Sequence, residues 1–434
     1  MISFIQGIWI VSILIMMLKQ FKIGLALYLA YILLVPYMSI NLAGVPLQWN
    51  FVNLLVFVLA LYNFSVRNKS FKIDYKPLYP FLIYYISSFF LMLFQNSEPF
   101  QVQLDSWRIQ IMKYLILPFA LWNEMRYDKS SIKLYRNVTL ICISIAIIYG
   151  LLLTAIPGLN PYIMILSQAN GSEFNTDYAL AFGEGRLFGR ISSVFAHPMT
   201  FGMFLGVSLI YLYYNRGVMN KYVFLTLFLI TGIDILVCGV RSTIGGVVIA
   251  IIFYLLQMKN YKLMLYTAIL GIIGYYVISS IPDMSTYIGS ITDIHNEKQD
   301  VSGSSIEMRI EQLNGCFKEI EDCLFTGKGF SWTGYYKSLH GDHPVILSFE
   351  SLIFIVLCNS GLIGIFLWIY MGFMIMKYNT KSYHNNRAIL NALFIFYIAY
   401  SCITGEYGYM QYFVIFYILM LGESKQKLTL RQKG

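Results

Sequence analysis

Charge is what this sequence has least of: Asp, Glu, Lys and Arg make up 12% of its 434 residues, about half the share of an ordinary soluble domain. A chain so poor in charge cannot clothe a water-facing surface, which excludes a soluble globular domain. Cysteine is sparse as well, with six residues. Cys142, Cys358 and Cys402 fall inside apolar runs and Cys238 near the end of one, as small apolar residues do. Cys316 and Cys323 are seven apart on an expected helix, hence about 10 Å from each other and unable to bridge. No H-E-x-x-H, clustered Cys/His, G-x-x-x-x-G-K-[ST] or D-x-D occurs, so no metal, nucleotide or other cofactor is implied. Internal repeats, low-complexity tracts and a polar terminal domain are also missing.

What fills the chain instead is apolar: 58% hydrophobic and 17% aromatic, with mean hydropathy +0.63. Windows of about 17 to 25 apolar residues match the reach of a helix across a hydrocarbon core. They predict roughly 13 spans, near 2–18, 23–40, 49–66, 77–95, 109–124, 138–157, 194–214, 222–240, 242–258, 261–281, 351–376, 388–404 and 410–422. The expected fold is an all-α polytopic transmembrane bundle of about 12–13 spans, one integral membrane domain over 1–434. The first run lacks a basic n-region and a cleavage site, so it reads as a retained span.

The formal charge of +9 is a topology signal before it is a binding signal. Most of the 31 basic residues fall in every second connection, from Lys19 and Lys22 through to Lys425–Lys433. The positive-inside rule makes those connections cytoplasmic, and no nucleic-acid partner is needed to explain them. The N-terminus and the segments 41–48, 96–108, 158–193, 241, 282–350 and 405–409 are then expected outside.

The outer segment 282–350 is the longest. Ser304 and Glu307 form an S-x-x-E capping box, and Ile306, Ile310, Leu313, Phe317, Ile320 and Leu324 follow in steps of three and four. An amphipathic helix near 305–325 is predicted, stopped by Gly327 and Gly329 in "TGKGF".

Nine basic residues stand on the side that topology rules leave poor in them: Arg108, Arg186, Arg190, Arg241, Lys298, Arg309, Lys318, Lys328 and Lys337, with Lys113 just inside the fifth span. Arg241 occupies the tight turn "VCGVRSTIGG", with Asp234 seven residues earlier on the same helical face. Ionisable groups at that depth point to function, the alternative being an Arg241–Asp234 structural pair. His197 and His343 each precede a proline where the chain enters the membrane, so each is expected near a helix N-cap, where N–H groups favour anions. Guanidinium forks suit phosphate oxygens and imidazole moves protons near neutral pH. A lipid-linked pyrophosphate is the natural substrate class.

The set "GRISSVFAHPMTFG", "VCGVRSTIGG", "MRIEQLNGCFKEIEDCLFTGKGF" and "GDHPVILSFESLIFIVLCNSGLIG" resembles the O-antigen ligase and polysaccharide polymerase family of bacterial envelope proteins, from about 185 to 370. The resemblance implies a GT-C-like fold and metal-independent transfer of a glycan from undecaprenyl pyrophosphate to a glycan or lipid acceptor hydroxyl, outside the cytoplasmic membrane. It assigns Arg241 and Arg309 to the pyrophosphate and His343 to the acceptor hydroxyl; His197, Arg190, Arg108 and Lys328 would shape the donor site. Val240 stands where the family usually has serine, Met199 and Pro344 where asparagine is common, and Asn359–Ser360 where an acidic residue often precedes the glycine turn. Glu98 and Asp105 are further candidates for a carboxylate base, or else solvated loop residues. Trp332, Tyr335 and Tyr336 are candidates for stacking on sugar rings or anchoring at the interface. A transporter of the same lipid-linked glycan, and a structural or sensory membrane component, remain as alternative classes.

Overall fold

A computed structural model of the chain describes residues 2–36, 39–42, 45–67, 72–156, 159–169, 190–280, 306–405 and 407–431. Arg186, Lys298 and Ser304 of the expected capping box lie outside the described residues. The order begins α1 (Ile2–Lys19), α2 (Phe21–Leu34), α3 (Trp49–Leu61), α4 (Tyr79–Met92), α5 (Phe100–Tyr127), α6 (Ser130–Leu153), α7 (Pro161–Ala169) and α8 (Pro198–Asn215). It continues with α9 (Lys221–Val237), α10 (Arg241–Met258), α11 (Tyr261–Ser279), α12 (Ile306–Glu319), α13 (Trp332–His340), α14 (Leu352–Ser382), α15 (Arg387–Thr404) and α16 (Met410–Arg431). Between α2 and α3 a short antiparallel hairpin pairs Ser39–Leu42 with Val45–Gln48, placing Ile40 opposite Leu47. Hydropathy reads this stretch only as a loop, because a ladder of eight residues leaves no apolar window.

Among the described residues five helices are long and apolar enough to cross a membrane: Trp49–Val66, Ser130–Leu153, Arg241–Met258, Leu352–Ser382 and His384–Thr404. Shorter apolar helices run over Phe4–Lys19, Phe21–Leu34, Tyr261–Gly274 and Met410–Ser424. Their outward faces are strongly apolar. Along α14 the residues Gly361, Gly364, Trp368, Met371 and Ile375 are buried at helical spacing, whereas Phe366, Ile369 and Phe373 point outward at 62%, 67% and 58% exposure. An apolar stripe of that size facing water would be an aggregation site. The architecture is therefore compatible with a helical membrane protein.

The interior is stitched by tyrosine and amide groups rather than by apolar packing alone. Tyr28 donates to Asn53 Oδ1 at 2.6 Å, Trp368 Nε1 to the Tyr84 hydroxyl at 3.2 Å, and Tyr417 to Asn379 Oδ1 at 2.7 Å, while Asn379 Nδ2 donates to Asn391 at 2.9 Å. Much of the aromatic load sits in this core. In an apolar medium each such group must find a partner, since leaving one unmet costs about 1–3 kcal/mol.

The connections sort into two ends. At one end Lys22 meets Asp128 at 2.8 Å, Arg126 meets Asp74 at 3.6 Å and Asn386 donates to Ser424 at 3.0 Å. At the other, α5, α8, α14 and α16 begin, α15 ends, and α12 and α13 are seated. The fifth expected span, 109–124, is the buried part of a longer helix: α5 begins after Pro99 and carries a polar first half through Gln101, Asp105 and Arg108. Hydropathy windows miss such a half because its polar residues, most of them on the more exposed face, dilute the apolar average of an otherwise continuous helix.

Candidate functional site

The loop that bears α12 and α13 is built into a broken span. Gly361 has φ 61° and ψ −158° inside α14, which interrupts its hydrogen-bond ladder and frees backbone groups on both sides. Residues 324–329 supply their partners. The Lys328 and Gly329 amides donate to the carbonyls of Cys358 (2.9 Å) and Asn359 (3.1 Å), and the Leu362 and Ile363 amides donate to those of Leu324 (3.0 Å) and Phe325 (3.1 Å). Gln95 Nε2 closes the corner on the Thr326 and Asn359 carbonyls. The two glycine motifs of the sequence, "TGKG" and "NSGLIG", are thus two sides of one joint. A Cβ on Gly361 would lie 2.6 Å from the Phe325 carbonyl, and one on Gly327, at φ +68°, would lie 2.5 Å from the Ser360 amide.

Glu98 locks the next residues. Its carboxylate accepts from the Ser331 amide at 2.9 Å and the Ser331 hydroxyl at 2.5 Å, at the start of α13, and it is 1% exposed. Burial pushes its carboxyl above the usual range, against the two hydrogen bonds from Ser331. It is not a solvated loop residue. Gln103 and Asn359 complete the clamp: Gln103 Oε1 accepts from Phe330 N at 3.0 Å and Asn359 Oδ1 from Thr333 N at 2.9 Å.

This assembly walls a cavity of about 600 Å³. Gln110, Lys113 and Tyr114 of α5 face it, as do His197, Met199 and Thr200 at the start of α8 and Ser331, Thr333, Gly334 and Lys337 around α13. Ser348, Phe349, Glu350, Ile355, Asn359, Thr404, Gly405, Gly408 and Tyr409 complete the wall. Two ammonium groups, one imidazole and one carboxylate therefore meet in one chamber.

His197 is the N-cap of α8 as expected: its Nδ1 accepts from Met199 N at 3.1 Å, with Pro198 in the first turn. Arg190 is partly buried, seven residues before His197. Arg309 stands behind the wall on α12. Its guanidinium reaches Glu350 Oε2 at 3.6 Å and donates to the Glu350 carbonyl at 3.2 Å. Burial draws the guanidinium below its ordinary pKa and Glu350 works in the opposite direction.

His343 is placed differently from expectation. It does not cap the next span, because α14 starts at Leu352 behind the N-cap Ser351. Instead His343 and Leu347 exchange backbone hydrogen bonds across a tight loop, and His343 Nδ1 accepts from the Val345 and Ile346 amides at 3.1 and 3.0 Å. Accepting at Nδ1 leaves the ring proton on Nε2, which donates to Glu319 Oε2 at 3.4 Å. Glu319 also holds the ammonium of Lys328. Both ring nitrogens of His343 are engaged, the residue is 7% exposed, and it is not part of the cavity wall.

Other expected site residues are scattered. Arg108 pairs with Asp105 at 2.9 Å on the exposed side of α5. Lys328 lies over the Trp332 ring at 4.9 Å. Trp332 is buried, 5.1 Å from Tyr336 and 6.0 Å from Phe349, and so packs the loop from within. Arg241 opens α10 directly after the Cys238–Val240 turn, where Gly239 takes φ +66°. It does not pair with Asp234, whose two carboxylate oxygens are buried without a hydrogen-bond partner beside Gly150 of α6. α12 ends at Glu319, and a 3-10 turn over Glu321–Cys323 carries the chain on to the glycines.

Reading the sequence alone counts Lys113 and Lys337 among the outer basic residues without assigning them to the site, and passes over Glu319 and Glu350. Among the described residues no three His, Cys, Asp or Glu side chains converge as a metal site would require. No protein-family model matches this chain, and no curated protein matches it either.

Proposed function

We propose that the chain is a bacterial cytoplasmic-membrane glycosyltransferase that moves a glycan from undecaprenyl pyrophosphate to an acceptor hydroxyl, with the cavity facing away from the cytoplasm. The observation that carries this reading is the chamber itself: Lys113, Lys337 and His197 line a space large enough for a sugar diphosphate, at the end of the bundle where α5, α8 and α14 begin. The two ammonium groups neutralise phosphate oxygens, and the dipole of α8 favours the same charge. Arg309 approaches from behind through Glu350, and a phosphate entering the chamber competes with that carboxylate for the guanidinium.

Glu350 is the base in this scheme. It is the carboxylate in the cavity wall, and Arg309 holds it in place. The acceptor oxygen attacks the anomeric carbon, its proton passes to Glu350, and the C–O bond to the pyrophosphate breaks with its electron pair on the leaving oxygen, which the cations stabilise. His343 serves the loop by holding the turn that aims Phe349 and Glu350. The acceptor, glycan in a polymerase or lipid in a ligase, would enter from the side of α13.

A second reading has one observation in its favour. A discontinuous helix such as α14 is a common device of transporters, where freed backbone groups bind substrate. Here four of those groups are taken by residues 324–329, which favours the enzyme.

The test uses purified protein in nanodiscs with undecaprenyl-pyrophosphate glycans and no added metal or nucleotide, followed by glycan size on a gel. A growing ladder supports a polymerase, and a single shift on adding a lipid acceptor supports a ligase. Donor that crosses a vesicle bilayer without any new glycosidic bond overturns both in favour of transport.

A further inference from the structure

Another cavity lies at the far end of α8 from the chamber. His197 caps the start of that helix at the chamber, and the helix runs 18 residues, about 27 Å, to Arg216 at its other end. There α8, α9, α10, α11 and α15 enclose a slot of about 320 Å³. Its wall is apolar apart from two tyrosine hydroxyls and that of Thr267, which is turned to the Leu263 carbonyl at 2.9 Å. Ala250, Leu255, Ile389 and Ala392 form a buried floor, whereas Ile251 and Leu263 are exposed at 37% and 41%. The slot therefore opens on the outward faces of α10 and α11.

Cations gather at one end of it. The Arg216 guanidinium lies over the ring of Tyr213 at 3.9 Å and donates to the Tyr213 carbonyl at 2.9 Å. Tyr213 and Tyr254 both line the slot, and their rings meet edge to face at 5.8 Å. The segments 211–223, 254–267 and 384–392, which carry the chain past this end, hold Arg216, Lys221, Lys259, Lys262 and Arg387 and no Asp or Glu. The positive-inside rule accounts for the side on which these cations stand, but not for an apolar slot beside them. A slot of this kind complements a molecule with an apolar tail and an anionic head.

We propose that the slot binds one anionic phospholipid, with an acyl chain seated against Ala250, Leu255 and Ala392 and the phosphate on Arg216. A guanidinium has five N–H donors and the Tyr213 carbonyl takes one, so others can hold phosphate oxygens without disturbing the stack on the ring. The site rests on the membrane reading of the fold and is independent of glycosyl transfer.

Photolabelling tests it. The full-length protein is placed in phosphatidylcholine nanodiscs containing a little phosphatidylglycerol with a diazirine in its acyl chain, then irradiated, digested and mapped by mass spectrometry. Label should concentrate on slot residues of α8, α10 and α11, and unlabelled phosphatidylglycerol should remove it roughly five-fold more effectively than added phosphatidylcholine. Arg216→Gln should abolish that preference while label stays in the slot, and Ala250→Phe should empty the slot of label. Label spread evenly over the outward helix faces of the parent overturns the proposal, as does equal competition by the two phospholipids. Undecaprenyl phosphate competing ahead of phosphatidylglycerol also overturns it, in favour of a polyprenyl chain. These comparisons are made in the parent, so they hold even where a variant fails to fold.

Discussion

His343 Nε2 and Glu319 Oε2 lie 3.4 Å apart, joining the tight loop before α14 to the last residue of α12, and the same carboxylate holds Lys328. Glu319→Gln keeps the shape and removes the charge. A loss of about 1–3 kcal/mol in unfolding free energy is expected, read as a lower thermal midpoint in detergent.

The same carboxylate sets a pH dependence. Burial works against its ionisation, but Lys328 and His343 outweigh it and hold the Glu319 carboxyl below its ordinary range. A group depressed in the folded state stabilises above its unfolded pKa, about 4.3, and that stabilisation fades as pH falls through the lower folded value. The parent midpoint should therefore drop below about pH 4.3 more steeply than that of Glu319→Gln. Parallel curves would show that the pairing contributes nothing.

Lys113→Ala and Lys337→Ala each remove a cation from the chamber. Each should weaken binding of a polyprenyl-diphosphate donor by roughly ten-fold, about 1.4 kcal/mol, with little change in melting. Titration of labelled donor into nanodiscs checks this; unchanged affinity in both variants moves the diphosphate out of the cavity.

Glu350→Gln should reduce the rate by roughly 10²–10⁴-fold, the usual weight of a general base, while donor binding persists. His343→Ala should act through the fold, with a lowered midpoint accompanying the lost activity. If His343→Ala melts like the parent and Glu350→Gln turns over normally, the base has been assigned to the wrong residue.

Phe366 and Ile369 point away from the bundle on α14. Phe366→Arg should cost about 2.5–3.5 kcal/mol of membrane insertion, seen as a lower membrane-integrated fraction. The half-exposed Lys113 position, converted to Arg, should show no such loss.

The fold was far more legible in the sequence than the site. Hydropathy located helices because a lipid-facing surface admits few polar residues, and it failed where that pressure lapses, at the 39–48 hairpin and the polar first half of α5. His197 was legible because a His-Pro pair before an apolar run specifies its own cap. The same pair misled at His343, where the Val345 and Ile346 amides turn back onto the ring and a second cap, Ser351, starts the helix. Lys113 and Lys337 were hidden among the other basic residues, since only packing reveals which ammonium groups share a chamber. Glu350 offered a faint signal as the acidic residue just before the Ser351 cap, ahead of a long apolar run.

The joint at Gly361 also orders the birth of the molecule. Residues 324–329 are synthesised before 358–363, so the loop must wait until the helix that needs it has been made. Until they meet, α14 carries unpaired amides and carbonyls at its break, and each that is buried unpaired costs about 1–3 kcal/mol. Completion of that helix and docking of the loop are then one event, and a ribosome that stalls after α13 leaves a chain with a finished key and no lock.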